Sequence, residues 1–273
     1  MGVTLITGAS SGMGYSIALR LARTGESVAL VSRRYEALAS VAEEIEAEGG
    51  RARPVACDVT DIEQVRAAVR EIEAGIGPVT RLVANAGGGD PTFVDAFDAA
   101  QAEHTIRLNL MGLVNCVDAV LPGMLARSDG HIVATGSLAG RLGMPTAAAY
   151  GAAKAGVAHF MNSLRIDLRG QGVDITLLEP GFVDSRNKGR RAGKWPLRVG
   201  REAAAERMAK AIVARRRHCA FPWPLVVAVA LLRGLPAAIS DRLLAGKGRK
   251  RRRQDVSTAG PNESSDSKGK DYG

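Results

Sequence analysis

"LITGASSGMGYSIALRLA", residues 5–22, passes from aliphatic and β-branched residues through three glycines into apolar positions at helical spacing. Val3 to Thr7 reads as a strand and residues 13 to 24 as the helix after it, which leaves the glycines in the turn between them. Gly8, Gly12 and Gly14 let the backbone turn tightly and come close to a diphosphate. The helix start offers the same anion unpaired N–H groups and positive potential. A glycine triplet by itself also fits an ordinary strand-to-helix turn, so its meaning depends on the rest of the chain.

The rest of the chain alternates. Short apolar runs at Val3 to Thr7, Ser27 to Ser32, Ala52 to Cys57, Arg81 to Asn85, His131 to Thr135 and Asp174 to Leu178 read as strands. Helical patterns fall between them, near 13–24, 35–48, 61–75, 98–126 and 148–169. Six such β-α alternations with near-continuous apolar strands predict an α/β fold, a Rossmann-like doubly wound parallel sheet with helices on both faces. With the glycine turn at the head of that alternation, nucleotide binding is the favoured reading.

At 273 residues the chain is long enough for one sizeable α/β domain. Its formal net charge of +9 is unevenly distributed: residues 1–185 sum to −6 and residues 186–273 to +15. Cys57, Cys116 and Cys219 are far apart, and no Cys or His pair has ligand spacing, so neither a disulfide framework nor a metal site is expected. The chain begins almost at once with a strand, with no room for a secretory signal, and a cytoplasmic protein is the expectation. The expected organisation is a nucleotide-binding catalytic domain over 1–222, an apolar helical extension over 223–246 and a disordered basic tail over 247–273.

The glycine turn is written T-G-x-x-x-G-x-G from Thr7 to Gly14, "NAG" stands at Asn85 to Gly87, and "YGAAK" runs from Tyr150 to Lys154. In that order and at those separations, residues 2–185 resemble the classical short-chain dehydrogenase/reductases. The resemblance implies a nicotinamide dinucleotide held by Thr7, Gly8, Ser10, Ser11, Gly12, Met13 and Gly14. Asp58 and Val59 would border the adenine, with Asp58 accepting from its amino group. Asn85, Ala86 and Gly87 would steady the central sheet and the sugar side. Pro180, Gly181, Val183 and Ser185, in "EPGFVDS", resemble the family's P-G-x-x-x-T, whose backbone contacts the carboxamide; serine replaces the usual threonine. The second strand ends at Ser32, followed by Arg33 and Arg34, where a carboxylate would repel a 2′-phosphate. Two cations beside a small hydroxyl suit that phosphate, which favours NADP(H) over NAD(H). The plainer alternative is two arginines solvating a loop.

Tyr150 and Lys154 lie four positions apart, on one face of a helix. A phenol ionises near about pH 10, so it works as an acid or base at neutral pH only when a neighbouring cation stabilises the phenolate. Lys154 can supply that cation; the bland alternative is a packed tyrosine whose lysine points to water. Ser137 falls just past the fifth strand, at the end where open sheets keep their ligand crevice, and Asn109 falls inside a long helix. By resemblance Ser137 holds a substrate carbonyl oxygen, Asn109 positions a water leading to Lys154, and Lys154 grips the nicotinamide ribose. A turn residue and a helix-bending hydrogen bond are the respective alternatives for Ser137 and Asn109. Gly151 replaces the Ser or Cys often found after the tyrosine and is expected to leave extra space.

The implied reaction is hydride transfer between nicotinamide and a carbonyl or secondary alcohol, with Tyr150 transferring the proton. The rival reading is a non-catalytic nucleotide-sensing or membrane-associated scaffold, which has no need of all four residues. A homodimer or homotetramer is expected, since the small residues around Tyr150 also permit close helix packing between subunits. Trp195, Phe182, Met144 and "FPWPLVVAVALL" offer apolar lining for a hydrophobic substrate, an ordinary core or interface helix, or a helix on a membrane surface. The apolar run from Leu225 to Leu232 is too short to span a bilayer. "KGRKRRR" at 247–253 lacks interleaved aromatics, so a solvated tail is preferred and no nucleic acid is expected.

Overall fold

The computed structural model describes residues 2–184 and 197–245. Six strands follow the sequence pattern: β1 (Val3–Thr7), β2 (Ser27–Ser32), β3 (Arg51–Ala56), β4 (Val79–Ala84), β5 (Gly130–Thr135) and β6 (Val173–Pro180). A seventh, β7 (His218–Phe221), was not expected. It has only four residues, half of them partly exposed, and so carries no periodicity to read. All seven are parallel in the order β3-β2-β1-β4-β5-β6-β7, the doubly wound sheet predicted.

The centre of the sheet is buried on both faces, β1 and β5 at every residue. On one side lie α3 (Ile62–Ile76), α5 (Gly112–Ala126) and α6 (Ala148–Asp167), packed over Leu5, Leu82, Ile132 and Ile175. On the other lie α1 (Gly12–Ala22), α2 (Tyr35–Ala47) and α7 (Arg201–Val213), packed over Ile6, Leu30, Val83 and Val133. Alternate residues of one strand thus serve opposite cores, as the two-residue period of a strand requires. In α3, Val65, Ala68, Val69 and Ile72 form the buried stripe, and Asp61 caps the helix by accepting from the N–H groups of Glu63 and Gln64.

The long helix expected over 98–126 is continuous but not regular. α4 (Ala99–Ile106) joins α5 through one π-helical turn, Arg107–Met111. By length and composition this run is apolar enough to cross a membrane, yet Leu108, Leu113, Cys116, Val117, Val120 and Met124 are buried in the domain core. After β7 the chain continues as α8 (Trp223–Gly234), breaks at Leu235 and Pro236, and is helical again over 237–245.

Candidate active site

β1 lies between β2 and β4, so the connections leaving its two sides diverge and open a crevice at the strands' C-terminal ends. Thr7 closes the floor of that crevice. Its Oγ1 accepts from the backbone N–H groups of Asn85 and Ala86, both at 3.0 Å, and Thr135 Oγ1 donates to Asn85 Oδ1 at 3.2 Å. Three strand ends are thereby tied together. Gly8 has φ +66°, and a Cβ there would sit 2.9 Å from Ala86 Cα; one on Gly14 would sit 2.2 Å from the Gly8 carbonyl oxygen. Both positions therefore require glycine for the turn to close. Gly12, at φ +62°, faces open space. Met13 packs partly against the core. Ser11 occupies the N-cap of α1 without capping it by its hydroxyl, whereas Asp61 and Asp98 cap α3 and α4. The Ser11 hydroxyl thus takes none of the N–H groups with which a helix start binds an anion.

Ser32 is buried, and its hydroxyl accepts from the Arg34 N–H at 3.2 Å. The exposed Arg34 guanidinium donates to Ser10 Oγ at 3.1 Å and Ser11 Oγ at 3.4 Å, so a cation lies directly on the glycine turn, and Arg33 is exposed beside it. Asp58 is half-buried, and its Oδ1 accepts from both the N–H and the hydroxyl of Thr60. Val59 is turned into the core against Gly112, and its carbonyl accepts from Asn115 Nδ2.

Ser137 follows β5 in extended backbone and begins the 3-10 turn Leu138–Gly140, with its Oγ accepting from the Ala139 N–H. That turn lies against α6. A Cβ on Gly140 would stand 2.7 Å from the backbone of Lys154 and Ala155, and one on Gly151 would stand 3.2 Å from the Ala139 carbonyl oxygen. The space expected beside Gly151 is therefore filled by the Ser137 turn. This close approach brings Ser137 into hydrogen-bonding contact with the Tyr150 hydroxyl. The small residues flanking Tyr150 serve it by admitting a neighbouring backbone.

Lys154 points into the protein, not to water. It is almost completely buried, its Nζ donates to the Thr135 carbonyl at 2.7 Å, and it lies 5.7 Å from the centre of the Tyr150 ring. Burial lowers its pKa to about 8. The Tyr150 phenol moves the other way from the sequence expectation: burial raises it, and the hydrogen bond with Ser137 opposes that rise. Asn109 sits in the π-turn, accepting from the Gly88 N–H and donating to the carbonyls of Gly88 and Thr105. Those bonds are the helix-distorting kind. Gly87 separates Asn109 from Lys154 so narrowly that a Cβ there would lie 2.5 Å from Asn109 Oδ1 and 3.2 Å from Lys154 Nζ. A small cavity below is lined by Thr7, Ala86, Asn109, Thr135 and Lys154.

Pro180 ends β6, and Gly181 donates to the Phe221 carbonyl at 2.8 Å with Leu225 of α8 packed over it. Val183 bridges Val199, while Ser185 and Trp195 lie outside the described residues. Phe182 and Met144 are half-buried.

One cluster was not anticipated. Glu179, buried in β6, accepts from Arg141 Nε at 3.0 Å and 3.1 Å, and both Arg141 Nη2 and His218 Nε2 lie against its Oε2. Burial pushes the carboxyl pKa up, but the hydrogen bonds from His218 and Arg141 outweigh it and hold the group below the usual range. A carboxylate inside the apolar run "ITLLEP" was the one available signal, since an ionised group there requires a partner. Arg141 directly follows the Ser137 turn, so the ion pair fastens that turn to β6 and β7.

The sequence profile of the short chain dehydrogenase family matches residues 2–194. An uncharacterized oxidoreductase of Myxococcus xanthus (strain DK1622) is 38% identical over 237 residues, covering 87% of this chain and 94% of the relative. An alcohol dehydrogenase from the archaeon Thermococcus sibiricus, solved in complex with 5-hydroxy-NADP, superposes with a TM-score of 0.72 at 26% identity, over 81% of this chain and 95% of that one. A 3-ketoacyl-ACP reductase from Sinorhizobium meliloti 1021 gives the same TM-score at 30% identity, over 80% and 96%. The chain belongs to the short-chain dehydrogenase/reductase family of oxidoreductases.

Removing one partner of a buried ion pair leaves the other uncompensated. Arg141→Met should therefore lower the unfolding free energy by about 3 kcal/mol, read as a reduced urea midpoint at unchanged slope.

Proposed function

We propose that this protein is an NADP(H)-dependent oxidoreductase that interconverts a carbonyl and a secondary alcohol on an apolar substrate. The observation that carries the reading is the convergence of Ser137, the Tyr150 hydroxyl and the buried Lys154 ammonium at the C-terminal ends of β4 and β5. The glycine turn, the uncapped start of α1 and the cation on Ser10 and Ser11 fit a phosphorylated dinucleotide. Thr7, Gly8, Ser10, Ser11, Gly12, Met13 and Gly14 would hold its diphosphate side, with Ser32, Arg33 and Arg34 at the 2′-phosphate. Asp58, Val59, Asn85, Ala86 and Gly87 would border the adenosine and sugars, and Pro180, Gly181, Val183 and Ser185 the carboxamide.

A bound nicotinamide supplies the hydride, and in its oxidised form a positive charge beside the phenol. Tyr150 gives its proton to the carbonyl oxygen in reduction and takes it back in oxidation. Ser137 donates to the same oxygen and stabilises the negative charge that grows there. Lys154 holds the nicotinamide ribose and favours the phenolate, working against the burial that keeps Tyr150 protonated. Asn109 fixes the π-turn beside Lys154 and lines the cavity through which a water would reach it. The protein is read as a cytoplasmic homodimer or homotetramer whose C-terminal segment touches a membrane surface, with 1–222 as the catalytic unit.

NADPH oxidation screened against ketones of graded size and polarity tests this reading. Tyr150→Phe should abolish turnover on any ketone found while NADPH binding stays near wild type; near-normal activity in that variant would remove the mechanism. Arg33→Ala with Arg34→Ala should weaken NADPH binding far more than NADH binding, and equal losses refute the assignment. Ribose hydroxyls bind the charged form of Lys154. NADPH affinity should accordingly be full below about pH 8 and decline as pH rises through it, and Lys154→Met should flatten that slope in a fluorescence titration.

A further inference from the structure

Past β7 the chain exposes an apolar residue at every fourth position: Trp223, Val227 and Leu231 along α8, then Leu235, Ile239 and Leu243. Trp223 is 74% exposed, Leu231 69% and Leu243 55%, values that no packing among the described residues accounts for. Four-residue spacing stacks Trp223, Val227 and Leu231 into a ridge along one face of α8, and Ile239 with Leu243 into a second, shorter one on the helical segment after the break. The opposite face is fully explained. Val229 is buried there, and Leu225 lies over Gly181. Between residues 223 and 245 the only charges are Arg233, Asp241 and Arg242.

Charge selects the occupant of this ridge. The sequence passes almost directly from it into Lys247 to Arg253, six cations in seven residues, within a C-terminal third of net +15. A second copy seated on the ridge would bring the same excess of positive charge to the contact, whereas anionic headgroups neutralise it. The 12 residues of α8 are too few to span a bilayer, and a tryptophan at one end suits the headgroup level.

We propose that the ridge of Trp223, Val227 and Leu231 on α8, extended by Ile239 and Leu243 on the segment after the break, docks on an anionic bilayer and lies in its interface, the basic sequence that follows supplying the charge preference. This deepens the membrane contact of the proposed function and rests on that part alone, not on the catalytic assignment. Leu225, on the opposite face, seats α8 on the Gly181 turn, so docking holds that turn about one helix's width from the bilayer surface.

The test is co-sedimentation of the full-length protein with phosphatidylcholine vesicles, with and without phosphatidylserine, at low and high salt. Binding should require phosphatidylserine and weaken with salt. Val227→Glu with Leu231→Glu, both exposed positions, should reduce it by roughly tenfold or more at an unchanged melting temperature, as should glutamine at the six cations of 247–253. Failure of the wild type to bind at low salt overturns the proposal. So does binding that survives the glutamate pair, or a glutamate pair that sediments without vesicles as a smaller oligomer than wild type, which would make the ridge a subunit contact. Tyr150→Phe should sediment with vesicles as wild type does, which keeps this result separate from catalysis.

Discussion

A lysine ammonium placed where water barely reaches is unfavourable unless something takes its hydrogen bonds, and the Thr135 carbonyl does so. That bond pins α6 to the end of β5 and fixes the side of the helix on which Tyr150 stands. The residual cost shows in the lowered pKa of Lys154. Neighbouring backbone has been cleared to make the arrangement possible. Gly87 lets Asn109 and Lys154 approach from one side, and Gly140 lets the Ser137 turn approach from the other.

The anion-binding end of the crevice follows a complementary logic. Where a helix only has to be stable, as in α3 and α4, an aspartate satisfies its first N–H groups. At α1 the Ser11 hydroxyl makes no such cap, and the positive charge nearby comes from Arg34, held by the serines of the turn. Thr7 keeps this end in register with the catalytic end, because one hydroxyl joins β1 to the loop after β4 and Asn85 carries the link to Thr135. Thr135 is also the carbonyl that receives Lys154. The two halves of the site therefore share a single strand end.

Much of this was legible from local pattern. A strand, a glycine turn and a helix in fixed order fix the start of the sheet, and buried parallel strands announce themselves as apolar runs. β7 was hidden because four residues, running from exposed His218 to buried Phe221, are too few to show a period. The π-turn was hidden because it arises from backbone register around Asn109, which no propensity scale records. Spacing correctly put Tyr150 and Lys154 on one face but gave the wrong direction for the phenol pKa, since the sequence does not report how deeply a group is buried. Glu179 carried a signal, a charge within an apolar strand, although its partners Arg141 and His218 are 38 and 39 positions away.

The π-turn at Arg107–Met111 sets the relative rotation of the two helices it joins. One surplus residue in a helical turn swings everything after it by about 100° relative to what came before. α4 thus faces α6 while α5, in the same unbroken rod, faces α3. Excising a single amino acid there would turn both helices toward one direction, and one of the two neighbours would lose its counterpart.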